Sequence, residues 1–270
     1  MNKKIVTILI PHYKTYKLTQ LCLRLIKKNS DLDKIKVIVI DNNSCDESVE
    51  YLRSLKWITL IERKGSPDDT PPLSHSRALD LALQLVDTPY VLSLHTDTLI
   101  KRNDWLDFLL KKFTDDVNVA AVGSWKLEQK SFIENLAKTL EKYIQLLWYR
   151  IINKKQHAIA GISKNYYYLR SHCALFRTDL LKKFNLTFSA QEEVAGKVMC
   201  KTLENNGFKL IYLPSNELLK YMEHVNHATS FLNPEFSSRA KTINNGTKRI
   251  KNVLAKLNAE EILLNNKLDE

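Results

Sequence analysis

Apolar and polar positions follow two periods along the chain. Lys4-Ile-Val-Thr-Ile-Leu-Ile10 and Ile35-Lys-Val-Ile-Val-Ile40 are nearly continuous apolar runs, as expected of strands buried on both faces of a parallel sheet. Between them Leu18, Leu21, Cys22, Leu25 and Ile26 recur at helical spacing, and Lys27 and Lys28 stand where cations favour a helix C-terminus. Residues 47–55 predict a short helix and Trp57-Ile-Thr-Leu-Ile61 a third strand. A helix is predicted over Ser74 to Val86, with Ala78, Leu79, Ala82, Leu85 and Val86 as its stripe. Tyr90-Val-Leu-Ser-Leu94 then reads as a strand, Asp104 to Phe113 as a helix, and Val117 to Gly123 as a strand. Strands and helices alternating in this way predict an α/β, doubly wound sheet.

After Trp125 the pattern changes. Ile133, Leu136, Leu140, Ile144, Leu147, Trp148 and Ile151 mark a long amphipathic helix, whose apolar face suits the core, with a membrane as the other reading. Ser171 to Leu175 is the next predicted strand, Thr178 to Phe184 a short helix, Glu192 to Asn205 a longer one, and Gly207 to Pro214 a last strand. From Phe236 the chain is first basic and then amphipathic through Ile250, Val253, Leu254 and Leu257, which reads as a separate helical tail.

Composition narrows the partners. With 270 residues, 44% of them hydrophobic, a sizeable core can form. The apolar run after Met1 is too short for a signal-peptide core and no run is long enough to span a bilayer, so a cytoplasmic location is expected. Cys22, Cys45, Cys173 and Cys200 lack CxxC spacing and read as free thiols. A formal charge of +11 points to a phosphorylated or polyanionic partner, or to an anionic membrane surface touched peripherally. Nucleic acid is not expected, because zinc-finger spacing, RNP-like strands and glycine-rich clamps are all missing from the sequence; GxGxxG and Walker loops are missing too.

Chemistry gathers where strands end. The run Tyr90 to Leu94 delivers His95, Thr96 and Asp97 to the sheet edge, where open α/β sheets bind ligands; Asp97 either serves a ligand or caps the following turn. The second strand likewise ends in Asp41, with Asn42, Asn43 and Ser44 able to form a capped turn. Ser74, His75 and Arg77 fall near a predicted helix N-terminus, a place suited to phosphate, after a polar Pro-rich loop over residues 62–72 long enough to act as a lid. Ser189-Ala-Gln-Glu192 has the spacing of a capping box, which would commit Glu192 to backbone amides and leave Glu193 as the available base. His224 and His227 are spaced to share a helical face.

Taken in series, these segments resemble glycosyltransferase family 2 of the GT-A fold over roughly residues 4–230. Val6 to Tyr13 resembles its first strand and Pro-x-Tyr turn, Val39 to Ser44 its second strand, and Ser76-Arg77 its Ala-Arg-Asn helix start. Leu94 to Asp97 resembles the Asp-x-Asp motif, Asp104-Trp-Leu106 the segment after it, and Gln191-Glu-Glu193 with Gly207-Phe and Leu213-Pro the later acidic helix and final strand. The resemblance implies a GT-A, Rossmann-like, mostly parallel sheet flanked by helices, with a helical C-terminal extension. Residues 1–128 would be the nucleotide-sugar-binding half, 129–234 the acceptor-binding and catalytic half, and 235–270 a basic amphipathic tail.

The implied activity is transfer of a sugar from a nucleotide donor to an acceptor hydroxyl with inversion. Pro11, Tyr13, Asp41, Asn43, Arg77, His95 and Thr96 would then bind the nucleotide-sugar. Asp97, with His224 or His227, would hold a divalent cation, Mn2+ or Mg2+, and Glu193 or Glu192 would be the base. The first acid of Asp-x-Asp is His95 in this chain, and imidazole suits manganese better than magnesium. A glycan or lipid-linked glycan is the expected acceptor, in surface polysaccharide or lipid-linked glycan assembly. Two other classes are weighed beside this one: a nucleotidyltransferase, which would normally show a glycine-rich basic loop where Pro11-His-Tyr-Lys14 stands, and a non-catalytic glycan- or nucleotide-binding module of GT-A fold.

Overall fold

The computed structural model describes residues 3–128, 144, 166–225 and 250–270. The predicted helix 133–151, apart from Ile144, and the tail before residue 250 lie outside the described residues, as does His227.

The first half follows the periodicity. Strands β1 (Val6–His12), β2 (Ile35–Asp41), β3 (Ile58–Glu62) and β4 (Tyr90–Leu94) pair in parallel, with helices α1 (Tyr16–Lys28), α2 (Glu47–Ser54) and α3 (Pro71–Leu83) as crossovers. Short β5 (Thr98–Ile100), helix α4 (Trp105–Thr114) and β6 (Val119–Gly123) follow. β7 (Cys173–Arg177) inserts antiparallel between β4 and β6, and β8 (Lys209–Tyr212) runs parallel to β6, completing a seven-stranded sheet of order β3-β2-β1-β4-β7-β6-β8. Both faces are covered: one apolar cluster includes Leu21, Ile26, Val37 and Trp105, the other Leu79, Phe176, Phe188 and Met199.

Helix α3 starts at Pro71, earlier than the sequence pattern predicts. Prolines occupy its first positions, where a missing N–H removes no hydrogen bond. Arg77 therefore lies in the body of the helix, not at its phosphate-binding end. Its guanidinium donates to Asp69 Oδ1 at 2.6 Å, and Asp69 also pairs with Arg63, so the end of the 62–72 loop is clamped to the helix.

The tail is not separate. Residues 250–256 and Ala259–Leu264 are helical, and Ile250, Val253, Ala259 and Ile262 are buried against the cluster that includes α1. The apolar face read from the sequence is thus spent on the core over the described part.

At the end of β1, buried His12 bonds Thr19 Oγ1 at 2.9 Å and Ser48 Oγ at 2.7 Å, tying the strand to α1 and α2. Burial outweighs the attraction of Asp41 and Asp46 and pushes its pKa down to about 4. Its unfolded value is near 6.5, so between these values the unfolded chain binds the extra proton and stability falls as pH falls. The contribution is absent above about 6.5 and reaches about 3 kcal/mol by pH 4. Urea unfolding of wild type and His12→Asn across this window should show the steeper decline in wild type; parallel curves would refute it.

Candidate active site

The site is assembled by a second, two-stranded sheet. β5 pairs antiparallel with β9 (Met222–His224) in the register Thr98↔His224, and Val225 N–H donates to Asp97 O at 2.9 Å. Lys101 fastens the ladder by donating to Glu223 Oε1 at 2.9 Å. His224 therefore arrives beside Asp97 from a strand and not from the helical face that its spacing from His227 suggested.

His224 Nδ1 lies 3.0 Å from Leu127 O. A carbonyl only accepts, so Nδ1 carries a proton and Nε2 is the nitrogen left to face a ligand. His224 Nε2 faces Asp97 Oδ1 at 3.3 Å, while His95 Nδ1 approaches the same oxygen at 3.7 Å. Asp97 is only 6% exposed and its Oδ1 makes no hydrogen bond. One ligand atom from each of His95, Asp97 and His224 falls within 4.8 Å of the others, a geometry a divalent cation could close. An orphaned buried carboxylate oxygen between imidazole nitrogens fits a cation better than it fits the turn-capping role.

Two further imidazoles surround the cluster. His172, buried in the turn before β7, bonds Ser124 Oγ at 2.8 Å, and its carbonyl accepts from His95 N–H at 3.3 Å and Thr98 Oγ1 at 3.0 Å. His75 reaches in from α3. Burial, and then the neighbouring His95, push the His75 pKa down to about 3; burial, and then His224 and His95, hold His172 well below its ordinary value. Both are neutral at neutral pH. For Asp97 burial acts upward, but His224, His95 and His172 outweigh it and hold the carboxyl below the usual carboxylate range.

Asp97 lies where two clefts meet. A cleft of about 420 Å³ is lined by Pro11, Tyr13, Asn42, Asp69, Ser74 and Thr96, and it shares His75, His95 and Asp97 with a second of about 510 Å³. The second is walled by Lys126, Tyr168, Arg170, His172 and His224. Arg170 stacks over the Trp125 ring at 4.6 Å, Trp125 packs edge-on against Tyr167 and Tyr168, and Arg170 has no ion pair among the described residues.

Pro11, Tyr13, His95, Thr96 and Asp97 are thus brought together as the sequence suggests. Asp41 and Asn43 are not: they line a separate hollow, and the Asp41 carboxylate accepts from Ser44 N–H at 3.2 Å and from the Ser44 hydroxyl, the turn-capping arrangement. Asn42 takes their place in the main cleft. The capping box does not form, because the Ser189 hydroxyl donates to Asp80 on α3. Gln191 and Glu192 adopt left-handed backbone, a single 3₁₀ turn spans Ala190–Glu192, and the helix begins only at Lys197. Glu193 pairs with Lys197 at 2.9 Å, whereas Glu192 is exposed and 3.9 Å from Arg77. Neither lines the two clefts. The sequence reading missed His172, Ser171 and Arg170; their only local signal is a polar turn before a strand, and their importance depends on β7 lying beside β4.

The sequence profile of glycosyl transferase family 2 matches residues 7–184. A teichoic acid poly(glycerol phosphate) polymerase of Staphylococcus epidermidis is 23% identical over 251 residues, which is 89% of this chain and 29% of that protein, so the chain spans under a third of that relative. Among solved structures, the mannosyltransferase PcManGT from Pyrobaculum calidifontis, in complex with GDP-Man and Mn2+, superposes with a TM-score of 0.53 at 19% identity, covering 77% of this chain and 54% of that one. S. aureus TarS 1-349 gives 0.52 at 14% identity, covering 84% and 62%. These likenesses establish the fold, GT-A, and the profile spans β1 to the helix after β7, the elements that carry the His95–Asp97 turn. The chain belongs to glycosyl transferase family 2.

Proposed function

We propose that the chain moves a sugar from a nucleoside diphosphate to a hydroxyl of an anionic glycopolymer, with inversion and with a divalent cation at His95, Asp97 and His224. The observation that carries the reading is the buried Asp97 oxygen, unbonded and facing two imidazoles at the junction of two clefts. The first cleft offers Pro11 and Tyr13 to a base and Asn42 to its polar edge, with Thr96 and Asp97 in its lining for the diphosphate. A bound cation supplies charge for the departing diphosphate. Family membership favours this reading over a nucleotidyltransferase, and the gathering of His95, Asp97 and His224 favours it over a non-catalytic module.

The second cleft is the acceptor side in this reading. Arg170 on Trp125 gives it a cation that suits a phosphate-bearing polymer, on a wall that also carries Lys126 and Glu128. The relative from S. epidermidis, by its name a poly(glycerol phosphate) polymerase, supports that acceptor class, and the net charge of +11 finds its use there. Inversion requires a base to take the acceptor proton as the hydroxyl attacks. Glu193 is held by Lys197, Glu192 lies 3.9 Å from Arg77, and neither lines either cleft, so the base is assigned to neither.

Among the described residues no helix is long and apolar enough to cross a membrane. Thermal unfolding against UDP-, GDP- and CDP-linked sugars, with and without Mn2+, tests the donor reading. At least one donor should raise the melting temperature, and more so with Mn2+, because a ligand bound only by the folded state adds its binding free energy. No response to any donor would remove it.

A further inference from the structure

We propose that Ser171 and His75 are positioning residues that make His95 a metal ligand, and that the His95–Asp97–His224 centre is thereby matched to a transition-metal ion, Mn2+ in preference to Mg2+. The proposal rests on the cation-assisted reading above and goes further, to how a histidine works where an acid would need no such help.

A carboxylate ligates through either oxygen and has no tautomer to set. A neutral imidazole must keep its lone pair on the nitrogen facing the ion, so its other nitrogen must carry a proton and find an acceptor. His95 presents Nδ1 to the centre, 3.7 Å from Asp97 Oδ1, and turns Nε2 to Ser171 Oγ at 3.0 Å. The same Oγ is 2.9 Å from His75 Nε2.

A serine hydroxyl has one proton and can accept two. With a lone pair at His95 Nδ1, His95 Nε2–H donates to Ser171 Oγ, and the Ser171 O–H is then available to donate to an unprotonated His75 Nε2. Run the other way, from His75 through Ser171, the same chain places the His95 proton on Nδ1, against the centre, and ligation is blocked. His75 decides between the two directions by offering an unprotonated Nε2.

Geometry holds the bridge in place. The His75 and His95 rings meet edge to face, with centroids 4.8 Å apart. Ser171 cannot drift from His95, because the next residue, His172, accepts the His95 backbone N–H and the Thr98 hydroxyl. At the other imidazole Leu127 O plays the part that Ser171 plays here. Each histidine of the centre thus has an outer partner fixing its tautomer, as ligating histidines require. Two imidazole nitrogens and one carboxylate oxygen form a donor set suited to Mn2+, whereas Mg2+ prefers oxygen ligands throughout.

The test reads metal binding, not turnover. Mn2+ affinity is measured from the EPR signal of the free aquo ion, and Mg2+ affinity by competition, in wild type, Ser171→Ala, His75→Gln, His75→Phe, His95→Asp and His95→Asp/Ser171→Ala. Ser171→Ala should weaken Mn2+ by about 10–100-fold. His75→Gln retains an acceptor and should lose less than His75→Phe. His95→Asp should narrow the preference for Mn2+ over Mg2+, and in that background Ser171→Ala should change affinity less than about twofold, since a carboxylate needs no tautomer fixed. Wild type failing to bind Mn2+ overturns the cation-assisted reading and this proposal with it. Wild type binding while Ser171→Ala binds equally, or an equal loss from Ser171→Ala in both backgrounds, overturns this proposal alone.

Discussion

Asp97→Ala should lower kcat/KM for sugar transfer on the order of 10³-fold, about 4 kcal/mol of transition-state stabilisation, while leaving the protein folded. The two halves of this expectation have separate causes. Its carboxylate is the one acid among the three groups gathered at the centre, so its loss removes the negative ligand that balances a cation's charge. The backbone of the turn, by contrast, does not depend on the side chain. Thr98 N–H donates to His95 O at 3.0 Å and Val225 N–H to Asp97 O at 2.9 Å, both through main-chain atoms that alanine retains. His224, His95 and His172 hold the native carboxyl below its usual range, so the ionised group favours the folded state at neutral pH, and its removal should lower the urea midpoint without unfolding the protein. Donor turnover and urea unfolding of the same preparation check both halves. A well-folded Asp97→Ala enzyme with full activity would remove Asp97 from the chemistry.

The first four strands and the turn carrying Asp97 were legible because each is written in a contiguous apolar run, so neighbouring residues alone determine it. What escaped the sequence was written between distant segments. His224 meets Asp97 only because residues 98–100 pair with 222–224, and a three-residue strand leaves no periodicity to read. His172 and Ser171 enter the site because β7 runs antiparallel between two parallel neighbours, a choice no local pattern announces. The Ser189–Glu192 capping box failed for a related reason. A long-range bond from the Ser189 hydroxyl to Asp80 competed with the local one, and Phe188 N–H and Ser189 N–H donate to the same carboxylate at 2.5 and 3.0 Å. Three donors converging on a half-buried acid outweigh a single cap. Where Pro71 and Pro72 stood, a breaker signal was read as loop although proline is well tolerated in the first turn of a helix, and that error moved Arg77 to the wrong end of α3.

The same contrast between local pattern and distant partner governs Arg24, whose replacement should produce the largest loss of stability. It is buried on α1, only 1% exposed, and would be unsupportable there alone. Its partners come from the far end of the sequence. Nε donates to Asp269 Oδ1 at 2.9 Å, Nη1 to the carbonyls of Ile262 and Leu263 at 3.0 and 2.6 Å, and Nη2 to Asn266 Oδ1 at 2.9 Å and to Asp269 Oδ2. The two carbonyls belong to the last turn of the Ala259–Leu264 helix, where unpaired C=O groups favour a cation. Tyr51 O–H, from α2, completes the shell on Asp269 Oδ1 at 2.9 Å. Asp269→Ala leaves a buried guanidinium without its counter-charge and should cost about 3–5 kcal/mol in urea unfolding. Arg24→Ala should cost as much, since it strands the carboxylate and the helix carbonyls and opens a cavity. Arg24→Leu combined with Asp269→Leu should recover part of the loss, because neither charge is then left unpaired. Additive losses in the double variant would show that packing, not charge pairing, holds the extension to α1. Since α1 also packs on β5, Mn2+ affinity measured on Asp269→Ala in the native baseline tells whether the clamp also steadies the strand that carries the site.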